Sequence, residues 1–266
     1  MTSPPHWIPL DGAANARDLG GLPADGGVIG PGRLLRSDNL QGLTDGDVRR
    51  LVDELGLRTV IDLRTTVEVD KEGPGPLTRV PAVDIRHLSL FAESGGLTDV
   101  DADALLPWQQ DMPARDSDLP DPGDRAVGFY LAYLEDRPDS IVAALRAIGS
   151  SPGASLVHCA AGKDRTGVVV ALALTVAGVP RAEIVADYAA TADRMPELLE
   201  RLRSSATYRD DLNSRPDDSH RPRAATMERF LAFLDEHHGG PVGWLTDAGL
   251  STEDLDRLRS RLVVQE

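Results

Sequence analysis

Ser155-Leu156-Val157-His158-Cys159-Ala160-Ala161-Gly162-Lys163-Asp164-Arg165-Thr166-Gly167-Val168-Val169-Val170-Ala171-Leu172-Ala173-Leu174-Thr175-Val176-Ala177 is the stretch that decides the fold. Ser155 to His158 reads as a short strand. Thr166 to Ala177 reads as a helix that is apolar on every side, so it belongs in the middle of a core. A tight strand–loop–helix passage is an anion site in outline. Loop N–H groups turn inward, and the helix N-terminus adds partial positive charge. Gly162 and Gly167 permit the backbone to close that tightly.

Outward from this stretch, residues 10–40 are rich in glycine with short apolar pieces, which predicts turns and short strands. Thr44 to Leu55 reads as a helix, with Thr44 as cap, Asp47 at the third helical position and Gly56 as stop. Thr59 to Leu63 reads as a buried strand, and a second strand falls at Val83 to Leu90. Helices are expected at 125–136, 139–149, 181–192, 195–206, 224–238 and 251–263, the last opened by Ser251 with Asp254 three later. Residues 207–222 read as a polar loop. Strands alternating with helices, then helices alone, predict an α/β fold. Its central mixed or parallel sheet is flanked by helices, and its C-terminal half is helical. The 266 residues are expected to form one domain.

Residues 91–124 interrupt this pattern. They hold nine acids against one base, Arg115, a net −8 within a chain of net −15. A loop of this length inside a compact domain is either a functional element, here an acidic insertion or lid, or a disordered segment.

Composition excludes several functions. A single cysteine permits no internal disulfide and no cysteine-rich zinc site. The acidic balance argues against nucleic-acid or anionic-membrane partners, which need a basic face. Val168 to Val179 falls short of the roughly 20 residues of a membrane span, so no stable membrane insertion is expected. Met1 to Pro9 lacks the basic and apolar regions of a secretory signal. The default expectation is a cytoplasmic protein, with non-classical secretion left open. No signal fixes an oligomeric state.

The only cysteine, Cys159, stands in the loop between strand and helix. Helix N-termini and cationic neighbours favour a charged, nucleophilic sulfur. Arg165 follows six positions on, and a C-x5-R loop curls its planar fork back over the same cavity. A nucleophile beneath a bound tetrahedral dianion implies attack of sulfur on phosphorus and a phospho-cysteine intermediate. A Walker A reading fails, because Val157 stands where its first glycine is required and Asp164 replaces Ser/Thr. A thiol redox enzyme would need a resolving thiol, which this chain lacks.

The loop HCAAGKDRTG resembles the active-site loop of the cysteine-based protein tyrosine phosphatases, and within them the bacterial, mycobacterial phosphatase B-like branch with the form HCxAGKDRTG. Asn15-Ala16-Arg17-Asp18-Leu19-Gly20, Arg33 to Ser37, Val60 to Arg64, Ile184 to Tyr188 and Gly243 to Leu258 resemble further blocks of that family. The resemblance implies a phosphatase fold over nearly the whole chain, with a helical lid where residues 91–124 depart most. It implies a phosphomonoester hydrolase acting on phosphotyrosine, with dual specificity towards phosphoserine/threonine. Lysine in the loop goes with activity on phosphoinositides as well.

Cys159 is thus the expected nucleophile, and Arg165 the phosphate-binding group that also stabilises the transition state. Ala160, Ala161, Gly162, Lys163 and Thr166 are expected to bind the phosphate, with Thr166 either tuning the sulfur or capping the helix. Lys163 offers a cation for a second phosphate. His158 is expected to order the loop from behind. Three sources of the general acid stay open: Asp164, Asp62, and the insertion acids from Asp116 to Asp124. Asp62 has the competing role of pairing Arg64. Arg17, Asp18, Arg36 and Arg64 either shape the pocket rim or form structural ion pairs. No metal and no organic cofactor is expected, and partners are phosphorylated protein or phosphoinositide substrates. The alternative function is a catalytically silent phosphate-binding module.

Overall fold

The structure, a computed structural model, describes residues 2–92, 125–213 and 216–265. In chain order its strands are His6–Trp7 (β1), Arg17–Asp18 (β2), Pro23–Ala24 (β3), Gly27–Ile29 (β4), Leu34–Ser37 (β5), Leu57–Asp62 (β6), Asp84–His87 (β7), Ala154–His158 (β8) and Val263–Val264 (β9). Six of them form a mixed sheet in the order β1-β2-β5-β8-β6-β7. β5, β8, β6 and β7 run parallel, and β1 and β2 add an antiparallel edge. β8, with every residue buried, lies in the middle. Such continuous buried strands require cover on both faces.

Alternation along the strands delivers that cover. Leu34, Ile61 and Val157 point into one core, and their neighbours Leu35, Val60 and Leu156 into the other. The first core is closed by Arg125–Asp136 (α3), Pro138–Ser150 (α4), Asp164–Val176 (α5), Arg181–Ala190 (α6), Ala224–His238 (α9) and Thr252–Leu262 (α11). The second lies beneath Asp45–Arg49 (α1) and the π-helical turn Arg50–Glu54. Thr44 caps α1 in a reciprocal capping box with Asp47, as the sequence implies.

Helix α5 is apolar on all sides because neighbours surround it. It packs against α3, α4, α6 and α11, and each buried Val or Leu contributes roughly 1.5–3 kcal/mol of transfer free energy. That burial fixes where the helix N-terminus points, and therefore where the Cys159 loop sits.

Three elements differ from expectation. Thr66–Glu72 (α2) was not foreseen, because only Val67 and Val69 break its polarity. Its signature is the capping box of Thr65 with Glu68. The expected polar loop at 207–222 carries Arg209–Asn213 (α8) and a 3-10 turn at Asp217–His220, following Met195–Ser204 (α7). Pro241–Asp247 (α10) starts on Pro241 directly after the positive-φ Gly240, a start signal hidden by the preceding glycines. The lid expected within residues 91–124, with its acids Asp116, Asp118, Asp121 and Asp124, falls outside the described residues apart from Phe91 and Ala92. Among the described residues no helix is long and apolar enough to cross a membrane.

Candidate active site

The site forms where β8 ends. His158 is level with Ser37 of β5 on one side and with Asp62 of β6 on the other, so Cys159 emerges between two parallel neighbours at the C-terminal edge of the sheet, where open α/β sheets place ligands. Leu63 N donates to His158 O at 3.0 Å and Asn39 N to Ala160 O at 2.9 Å, which fastens the loop to both neighbours. The chain then turns at Gly162, with φ +66°, and enters α5 at Asp164. A side chain at Gly162 would collide with Ser37 O, so the close approach to β5 also requires glycine. Cys159 is a buried free thiol.

Two buried side chains orient the loop. Asn15 Nδ2 donates to Ala161 O at 3.0 Å and Gly162 O at 3.3 Å, and Arg36 Nη2 donates to Gly162 O at 2.8 Å. A trans peptide plane sets each carbonyl opposite the following N–H. Drawing these two carbonyls towards Asn15 and Arg36 therefore turns the N–H groups of Gly162 and Lys163 to the opposite side of the loop. Asn15 Oδ1 in turn accepts from Arg17 Nη1 at 2.5 Å. Arg17 Nε binds Asp187 Oδ1 at 2.8 Å, and Arg36 Nη1 binds Asp187 Oδ2. Burial pushes the Arg17 guanidinium down to about 10, helped by the charge of Arg36 and opposed by Asp187. Asp187 would be raised by burial, but Arg17 and Arg36 hold it below its ordinary value. Arg17, Arg36 and Arg64 thus lie buried in ion pairs rather than on a solvent-facing rim. Asp18 braces a turn through Gly20 N and Gly32 N at 2.9 and 2.7 Å.

Arg165 is held by a residue that the sequence reading missed. Glu68 of α2, fully buried, accepts Nη1 at 2.6 Å and Nη2 at 3.0 Å, and Leu63 O accepts Nη1 at 3.3 Å. A guanidinium has five N–H groups. Three are spent here, which leaves Nε–H and one Nη2–H without partners among the described residues. These two form the side-on edge that matches two oxygens of a phosphate. Burial raises the Glu68 carboxyl, and the charge and hydrogen bonds of Arg165 outweigh it, so Glu68 stays below the usual carboxylate range. The Phe91 ring lies 5.6 Å from the Arg165 guanidinium carbon and meets Tyr133 edge-on at 5.2 Å. Thr65-x-x-Glu68 was the available signal, a capping box straight after a strand.

Asp62 meets Arg64 in a fork, Nε to Oδ1 at 2.9 Å and Nη2 to Oδ2 at 2.5 Å. Burial alone pushes its carboxyl up; the facing His158 and the Arg64 fork more than offset this and hold it far below the carboxylate range. His158 Nε2 lies 3.6 Å from Asp62 Oδ2. Burial pushes His158 down to about 4, so the imidazole is neutral at pH 7 and this contact is no ion pair; the Arg64 fork is the decisive partner. His158 Nδ1 donates to Cys159 O at 3.3 Å, behind the loop. Asp164 accepts a hydrogen bond from Tyr130 at 2.6 Å and is one-third exposed. Lys163 Nζ donates to His220 O at 2.8 Å and stands 3.3 Å from Asp164 Oδ2. The Thr166 hydroxyl is buried without a hydrogen-bond partner among the described residues, and it does not cap α5, whose N-cap residue is Lys163.

A buried thiol at a strand end, loop amides turned away from Asn15 and Arg36, and an arginine whose side-on edge has no partner among the described residues have the chemistry that a phosphate monoester requires. Residues 8–264 match the tyrosine phosphatase family. The chain belongs to that family. It is 33% identical to the triple specificity protein phosphatase PtpB of Mycobacterium tuberculosis, over 96% of this chain and 98% of the relative. It is 30% identical to a tyrosine-protein phosphatase of Nostoc commune, over 86% of this chain and 74% of the relative. It is accordingly a cysteine-based protein-tyrosine phosphatase.

Proposed function

We propose that the chain hydrolyses phosphotyrosine through Cys159, with Arg165 as the oxyanion clamp and Asp164 as the general acid, from one domain spanning the chain. The observation that carries this is the grip of Glu68 on Arg165 Nη1 and Nη2, which leaves the side-on edge, Nε–H and one Nη2–H, without partners among the described residues and available to a phosphate. In the first step the sulfur bonds to phosphorus, the bond from phosphorus to the tyrosyl oxygen breaks, and Asp164 protonates the leaving oxygen. In the second, Asp164 takes a proton from water as its oxygen displaces the sulfur, releasing inorganic phosphate. The N–H groups of Gly162 and Lys163 and the Arg165 edge meet the charge that develops on the equatorial oxygens.

Asp164 is preferred to Asp62 because a general acid must carry a proton, and Arg64 keeps Asp62 ionised. The alternative of a silent phosphate-binding module is disfavoured, since nucleophile, clamp and clamp-holder are all present.

Phosphoserine/threonine and phosphoinositides are proposed as further substrates. Lys163, largely buried at the loop and bonded to the exchangeable carbonyl of His220, has an ammonium that a second phosphate can draw away. One relative is named for triple specificity. Initial rates on phosphotyrosine, phosphoserine and phosphoinositide substrates, with Cys159→Ser as blank, test this. Turnover of all three by wild type and of none by Cys159→Ser is expected; equal rates in the variant refute the reading, and no rate on phosphoserine or phosphoinositide refutes the wider specificity.

A further inference from the structure

We infer that Tyr130, backed by Tyr188, is a positioning residue for proton transfer, acting through Asp164. This rests on Asp164 being the general acid.

Tyr130 belongs to α3, the first described helix after the acidic insertion, yet its hydroxyl reaches the catalytic loop. The OH donates to Asp164 Oδ1 at 2.6 Å and meets the Tyr188 OH at 2.7 Å. The ring has no freedom to place that hydroxyl elsewhere. It is fully buried, edge-on to Phe230 at 5.7 Å and to Tyr188 at 6.4 Å, and stacked with Tyr133 at 6.1 Å. A tyrosine has one proton to give. An ionised carboxylate only accepts, so that proton goes to Asp164, and Tyr188 must then donate to the Tyr130 oxygen. Burial, reinforced by Asp164 and Tyr188, holds the Tyr130 phenol well above its ordinary value, so it remains a donor throughout.

The direction of this chain has a chemical consequence. With Oδ1 occupied by the Tyr130 donor, the proton of the acid form resides on Oδ2, which requires the Lys163 ammonium, 3.3 Å from Oδ2, to turn aside. As Oδ2–H breaks and the leaving oxygen gains that proton, negative charge grows on the carboxylate and the Tyr130 bond strengthens. Tyr130 therefore favours the transition state over the ground state, which is the condition for raising kcat. The contribution is greatest for leaving groups that most need the proton, and negligible for those that depart unaided.

A double-mutant cycle tests this in the full-length protein, with Tyr130→Phe, Asp164→Asn and the pair. kcat is measured on phenyl phosphate, a poor leaving group, and p-nitrophenyl phosphate, a better one. Tyr130→Phe should lower kcat on phenyl phosphate by about tenfold, the difference between a hydrogen bond to a charged group and one to a neutral group, and lower it less on p-nitrophenyl phosphate. In the Asp164→Asn background the same change should cost less than about twofold. Independent, additive losses overturn the inference and make Tyr130 a packing residue. If Asp164→Asn itself shows no greater loss on phenyl phosphate than on p-nitrophenyl phosphate, the assignment of the acid fails first. Should Tyr130→Phe not fold, Tyr188→Phe replaces it in the cycle, since it leaves Tyr130 in place and removes only the donor behind it. Non-additivity with Asp164→Asn is again required.

Discussion

Replacing Glu68 by glutamine removes one charge from the buried pair that aims Arg165, with almost no change in shape. Oε2 accepts three hydrogen bonds, from Arg165 Nη1, Thr65 N and Thr65 Oγ1, whereas Oε1 accepts one, from Arg165 Nη2. The amide will therefore keep its oxygen at the Oε2 position and set its NH2 group against Nη2. One charge-assisted bond is lost, worth about 1.5–3 kcal/mol. The loss falls on the nitrogen whose other proton faces the substrate. At 1.36 kcal/mol per tenfold, kcat/KM should drop by about 10- to 10²-fold, and affinity for vanadate, which uses the same edge, should weaken alongside. Steady-state kinetics on p-nitrophenyl phosphate and vanadate inhibition, on a variant whose circular dichroism matches wild type, give the answer. A folded Glu68→Gln protein within twofold of wild type in both would show that Arg165 is aimed by something other than Glu68.

Three further outcomes follow from the same geometry. Because His158 titrates at about 4 in the fold and near 6.5 when unfolded, the unfolded chain takes up the extra proton first. Its contribution is complete above pH 6.5 and declines as pH falls towards 4, by about 3 kcal/mol in all; denaturant titrations at pH 7 and 5 should show less of this slope in His158→Gln. Gly162→Ala should lose most activity while the sheet stays folded, since φ +66° disfavours a side chain and the added methyl would stand against Ser37 O and 2.8 Å from Asp38 N; wild-type rates in the alanine variant would contradict this. Asp187→Ala leaves Arg17 and Arg36 buried without a counter-charge, which should destabilise the protein by about 3–5 kcal/mol in chemical denaturation.

The chemistry of this protein was legible where it is local in sequence. Strand, loop and buried helix from Ser155 to Val176 follow from burial patterns alone, and Cys159 and Arg165 from their spacing. The partners that make the loop work come from far along the chain. Glu68 lies 97 positions before Arg165, and Asp187 lies 170 after Arg17. No periodicity announces such pairs, because a buried charge is matched through the fold rather than through neighbours. Thr65-x-x-Glu68 did signal a helix start, yet nothing local says that its capping carboxylate has a second client. Asp62 shows the converse: Arg64, its partner, is two residues away, and the pairing was foreseen as the alternative to catalysis.

The central claim is a covalent phosphorus–sulfur intermediate on Cys159. Rapid quenching of wild-type protein during turnover, followed by mass spectrometry of its peptides, measures it directly. The account predicts one phosphoryl group on the peptide that holds Cys159, and none in Cys159→Ser, which should also be inactive. Sustained turnover by Cys159→Ser, or a phosphoryl group trapped on a different residue, would contradict it.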